Sequence, residues 1–98
     1  MESLEAKLER YLKVTEKALK KAKVSIPKSG SLHAIALDFY SMAENYHADS
    51  KHFKSKGDPA TALASCSYAH AWLDAGARLG LFDVGSDNVL FTIAKLEG

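Results

Sequence analysis

Cys66 and His70 stand four residues apart, one helical turn, so both side chains point the same way and could share a metal ion. A metal site needs a third and usually a fourth ligand. No second His or Cys pair follows at matching spacing. The competing reading is a buried cysteine with a histidine at the core edge, and it leaves no metal or cofactor to expect. Glu44-x-x-His47 has the spacing used in di-iron bundles. Those sites need the motif twice, with further glutamates from facing helices, and the third helical segment offers only Asp74. Glu44 and His47 are therefore expected on a solvated helix surface. No Ser or Cys is placed beside a His and a carboxylate as a triad requires. Gly76-x-x-x-Gly80 falls inside and at the end of a helix, where it serves packing rather than phosphate binding. No catalytic residue is assigned.

Two further groups could act by binding. Lys17, Lys20, Lys21, Lys23 and Lys28 follow one another with no acid between them. Such a segment can contact phosphates, as a nucleic-acid-binding protein would. It holds no Arg for base reading and no interleaved aromatics for stacking. The competing reading is a solvated helix end, where lysines suit the helix dipole. The second group is a bulky stripe, Tyr68, Trp72, Ala75 and Leu79, with the apolar run Val89 to Ile93 beyond it. Aromatic residues outside a core are favoured at protein interfaces. Either Tyr68, Trp72 and Leu79 form an interaction surface together with Leu90 and Phe91, or the chain's own tail covers the stripe.

The chain has 98 residues, 47% hydrophobic and 26% charged, with a formal net charge of +1. These values describe one ordinary globular domain with no global field to draw it to nucleic acid or membrane. The lone cysteine cannot form an internal disulfide, which suits a reducing cytoplasm. The charged opening Met1-Glu2-Ser3-Leu4-Glu5 is unlike a signal peptide, and no apolar run approaches a membrane span.

Three helices must position these groups. The first is expected from about Ser3 to Val24, with Leu4, Leu8, Tyr11, Leu12, Ala18, Leu19 and Ala22 on one face and Thr15 filling the gap. Pro27, Ser29 and Gly30 then break the chain. The second is expected from Ser31, as N-cap, to about Lys56. Its buried stripe is read as Leu32, Ile35, Phe39, Met42, Ala43, Tyr46 and Phe53, widened by Ala36 and Tyr40. Gly57 suits the left-handed residue past a helix end, Asp58 an N-cap, and Pro59 the first helical position. The second and third helices must therefore form an antiparallel hairpin. The third runs to about Leu79, carries no charge from Pro59 to Leu73, and repeats small residues at Ala62, Cys66, Ala69, Gly76 and Gly80 around Leu73. The run from Val89 to Ile93 is expected to be extended, with no partner strand, or else a short helix capped by Asp87.

With these helices placed, the chain resembles the archaeal proteins grouped as domain of unknown function 357. The likeness is carried by Ala36-x-x-Phe39-Tyr40-x-Met42-Ala43-x-x-Tyr46-x-Ala48-Asp49, then Lys56-Gly57-Asp58, then Ser67-Tyr68-Ala69-x-Ala71-x-Leu73-Asp74-Ala75-Gly76, closing with Gly80-Leu81-Phe82. It covers most of the chain up to about Val84. It implies a three-helix bundle and an archaeal source, and brings no catalytic residues. The hairpin is also similar to a tetratricopeptide hairpin at Gly57-Asp58, Ala62 and Ala69, but one copy makes no array.

The expectation is an all-α protein: an antiparallel three-helix bundle over residues 1–84 with a short extended C-terminal tail over residues 85–98. The functional expectation is a non-enzymatic protein-interaction or assembly module that self-associates or binds a protein partner. An accessory nucleic-acid-binding protein using the lysines from Lys17 to Lys28 is the alternative.

Overall fold

In the computed structural model, which describes residues 1–85 and Phe91, the chain is an all-α three-helix bundle. Helix α1 spans Leu4–Lys21, α2 Ser31–Ser55 and α3 Pro59–Arg78. The Ser3 side chain accepts from the Ala6 N–H at 3.1 Å and opens α1, with Glu5 in the first turn and Lys20 and Lys21 in the last.

The α2–α3 turn has the form its residues dictate. Gly57 takes a φ of +78°, a region that glycine enters without steric cost. The Asp58 N–H then closes back on the Phe53 carbonyl at 2.9 Å, while the Gly57 N–H reaches Lys54. The Asp58 side chain accepts from the Thr61 N–H at 3.1 Å, so one residue ends α2 and caps α3.

Helix α1 stops three residues short of the expected Val24. Lys23–Val24 forms a strand, β1, antiparallel to β2 at Phe82–Asp83, with Lys23 opposite Asp83 and Val24 opposite Phe82. The Ser25 N–H donates to the Leu81 carbonyl at 3.0 Å and the Ser25 hydroxyl to the Gly80 carbonyl at 2.9 Å. This pairing of segments distant in sequence competes successfully with one more helical turn, and it ties the C-terminal ends of α1 and α3 together. A second correction concerns α2. Its N-cap is Gly30, without a side-chain cap, and Ser31 is already helical.

A third correction is the buried stripe of α2. Ala36 and Ala43 are buried as expected, but the seam continues through His47 and Ser50, whereas Leu32 and Ile35 are 51% and 43% exposed. The seam faces the small residues of α3, where Ala62, Cys66, Ala69, Leu73 and Gly76 are buried as expected, while Gly80, expected in the same stripe, lies past the helix end at a φ of +76° and is exposed. The Ser50 hydroxyl donates to the Ala62 carbonyl at 2.6 Å, so the two backbones lie close. Small side chains permit that approach and displace the bulky ones to the flank. Helix α1 rests mainly on α3, through Leu8 and Leu12 below and Ala18 above. The Tyr40 hydroxyl donates to the Leu19 carbonyl at 2.7 Å and ties α2 to α1. The Cα atoms span 43 × 28 × 17 Å, a thin slab with α3 as its central helix.

The expected extended segment from Val89 to Ile93 lies outside the described residues, apart from Phe91. Phe91 is 2% exposed and belongs to the core cluster of Ala18, Ala43, Leu73 and Phe82.

Candidate functional site

The outer side of the α2–α3 hairpin gathers the bulky residues that the small seam displaces. Successive helical residues are about 100° apart, which places Tyr68, Trp72, Ala75 and Leu79 roughly 180–240° around α3 from Cys66, the residue at the α1 contact. Tyr68 is 61% and Leu79 66% exposed. Trp72 is half-buried and meets the Phe39 ring edge-on at 4.9 Å. Tyr68 stacks on Tyr46 at 5.5 Å. Ile35, Phe39, Met42 and Tyr46 of α2 therefore continue the face begun on α3. A shallow groove of about 320 Å³ on it is lined by Tyr68, Ala71, Trp72 and Ala75 alone. Ala60, Thr61, Ala64, Ser67, Ala71 and Ala75 extend the exposed side of α3 without charge, and Arg78 ends it.

Three of the five expected interaction residues, Tyr68, Trp72 and Leu79, thus share one face. Phe91 does not join them. Its ring sits in the core beside His70, centroids 6.3 Å apart. Leu90 lies outside the described residues.

A second concavity, about 460 Å³, runs between α1 and α3, lined by Arg10, Tyr11, Val14, Thr15, Ser67, His70, Ala71 and Asp74. Cys66 and His70 do come together here, but around Thr15. The Thr15 Oγ1 lies 3.4 Å from Cys66 Sγ and 3.4 Å from His70 Nδ1. His70 Nε2 lies 3.7 Å from Asp74 Oδ1. Thr15 is buried and its oxygen sits between thiol and imidazole, so this chain of contacts clamps α1 to α3. Burial pushes the Cys66 thiol up in pKa, against the opposing hydrogen bonds from Thr15 and Ser50. A protonated thiol is a poor nucleophile and a poor metal ligand. Among the described residues, no three His, Cys, Asp or Glu side chains converge as a metal ion would require. Arg10, at the groove's edge, donates through Nε and Nη2 to both carboxylate oxygens of Glu2, at 3.1 and 2.9 Å.

Glu44 is on a solvated helix surface as expected, but His47 is not, which corrects the expectation for His47. It is 7% exposed in the α2 seam, and its Nε2 has no hydrogen-bond partner. Burial, followed by the positive charge of Lys51, lowers its pKa, with Glu16 and the Leu12 backbone opposing. The sign follows directly. The folded state favours neutral His47, so its contribution is complete above the ordinary histidine value of about 6.5 and is lost as pH falls through the lowered folded value. Thermal melts should show the wild type losing stability from about pH 7 to about pH 5 and His47→Gln losing less over that range. Parallel profiles for the two proteins would contradict the assignment. The signal for this burial was the spacing Ala36, Ala43, His47, Ser50, which carries two small residues and two polar ones.

The lysines are placed plainly. Lys17, Lys20 and Lys21 are exposed on α1, Lys23 on β1, and Lys28 in the connection to α2. Lys20 pairs with Glu16 at 3.5 Å. Among the described residues no helix is long and apolar enough to cross a membrane.

No curated protein and no solved structure matches the chain. A family model described as a protein of unknown function, DUF357, matches residues 10–82. That stretch holds nearly all of the three helices, the capped turn at Gly57-Asp58 and the exposed aromatic face. On this match the chain belongs to the DUF357 family of proteins of unknown function.

Proposed function

We propose that the protein is a non-enzymatic interaction module of the archaeal cytoplasm, and that the outer face of the α2–α3 hairpin is its binding surface. One observation carries this reading: Tyr68, Trp72 and Leu79 join Ile35, Phe39 and Tyr46 in an apolar face beside a side of α3 whose exposed residues carry no charge from Ala60 to Ala75. A solvated helix ordinarily presents charge on its outward side. Exposed contiguous apolar surface of this kind marks a contact with another macromolecule, and Tyr and Trp are favoured anchors there. The polar groove between α1 and α3 has its central groups engaged with one another, as expected of a clamp between helices.

The test places a photo-crosslinking amino acid at position 68 or 79 in cells of the source organism, with position 17 on α1 as control. The expected result is a discrete protein adduct from positions 68 and 79 and none from position 17. Adducts only from position 17, to nucleic acid or protein, would overturn the reading in favour of the lysine segment.

A further inference from the structure

We propose that the occupant of this face is a second copy of the same chain, packed α3 against α3 about a two-fold axis. The inference rests on the interaction reading above and names its partner. Helix α3 is central to the slab, covered by α2 on one side and α1 on another. Its third side carries Ala64, Ser67, Tyr68, Ala71 and Ala75, with Ala60 and Thr61 at one end and Arg78 and Leu79 at the other.

Charge decides between an identical and a foreign partner. In a two-fold interface the same patch meets itself, and a residue near the axis faces its own copy. Any charge there would be set against a like charge. No Asp, Glu, Lys or Arg occurs on α3 from Pro59 to Leu73, so this condition is met. A foreign partner selected by complementary charge would find on this side of α3 only Arg78, at its C-terminal end. An antiparallel copy sets Arg78 near Thr61 of the partner subunit rather than against itself. An antiparallel crossing centred between Tyr68 and Ala71 brings Ala64 towards Ala75 of the partner subunit and Ala60 towards Leu79 of the partner subunit. Alanines at these points permit an interaxial distance near the short end of the usual range, about 8 Å.

Twenty helical residues span about 30 Å, and the apolar face covers two neighbouring helices, α2 and α3, about 20 Å across. The resulting footprint of roughly 600 Å² per partner is at the low end for a specific interface, which suits a dimer that dissociates on dilution.

Sedimentation of the whole purified chain over a dilution series tests the proposal. The expected result is a dimer at micromolar concentration that dissociates on dilution. Tyr68→Glu with Leu79→Glu should weaken it at least ~100-fold. The variant should keep its helical circular dichroism and cooperative melting, because both side chains are exposed. Ala71→Glu, nearer the axis, should do the same, while Lys20→Glu with Lys21→Glu should leave the dimer intact. A wild-type chain that stays monomeric throughout, or a dimer that survives both face variants, overturns the second copy as partner. If that monomer still gives crosslinks from position 68 to a different protein, the interaction reading stands without this inference. If it gives none, both fall.

Discussion

Phe82→Ala is expected to lower the unfolding free energy by about 3–5 kcal/mol, a large share of the roughly 5–15 kcal/mol of a typical domain. Phe82 is 3% exposed and meets the Tyr40 ring edge-on at 6.0 Å. Its ring edge lies over Gly76, where α3 offers no Cβ. A Cβ at position 76 would fall well inside contact distance of the ring atoms Cε2 and Cδ2. Two effects then oppose each other in Gly76→Ala. Helix propensity favours alanine by about 1 kcal/mol. Overpacking a filled core costs about 1–3 kcal/mol. Phe82 is held by β2 pairing with β1, so the ring cannot withdraw freely and the overpacking should win. In the Phe82→Ala background the clash is gone, and Gly76→Ala should become neutral or stabilising. Denaturant unfolding of the two single variants and the double variant measures this coupling. A Gly76→Ala protein more stable than the wild type would contradict the packing of Phe82 on α3.

Leu73→Ala should cost about 2–5 kcal/mol. The upper half of that range is expected. Leu73 is fully buried, and half of the other buried residues of its cluster are alanines, Ala18, Ala22, Ala36 and Ala43, while Phe82 is held by the β1–β2 pairing. Alanines have no rotamers with which to refill a cavity, so the void should persist. A fall of roughly 4–8 °C in melting temperature per kcal/mol should accompany it. Leu37→Ala, at a half-exposed position, should change stability by about 0.5 kcal/mol or less. Equal losses at the two positions would show that Leu73 does not hold the centre of the bundle.

Local chemistry made part of this fold legible in the sequence. Gly57, Asp58 and Pro59 each satisfy a requirement of the turn within a few residues, so their types alone placed the α2–α3 hairpin. The small-residue stripe of α3 was legible for a related reason, since Ala62, Cys66, Ala69 and Gly76 recur at helical spacing around Leu73. The β1–β2 pairing was not legible. It joins Lys23 to Asp83, and nothing near Lys23 announces a partner so far along the chain. Apolar bulk alone points to the wrong side of α2. Close approach to α3 puts Ala36, Ala43 and Ser50 in the seam and leaves Ile35 outside. The same rotation buries His47, and it creates the outer face. The stripe on α3 was visible in the sequence, but its continuation across Ile35, Phe39 and Tyr46 required the structure. Phe91 could have been assigned to either place from its type alone, and its contacts put it in the core.

Trp72, the single tryptophan, reports on the face directly. It lines the outer groove and touches Phe39, so a partner seated there must restrict access to its indole. Acrylamide quenching of Trp72 fluorescence, followed as the concentration of the whole chain is raised, is the most direct measurement. The account predicts that quenching weakens through the association range and that Tyr68→Glu with Leu79→Glu stays at the strongly quenched level throughout. Quenching that is independent of concentration, and equal in the wild type and the variant, would contradict it.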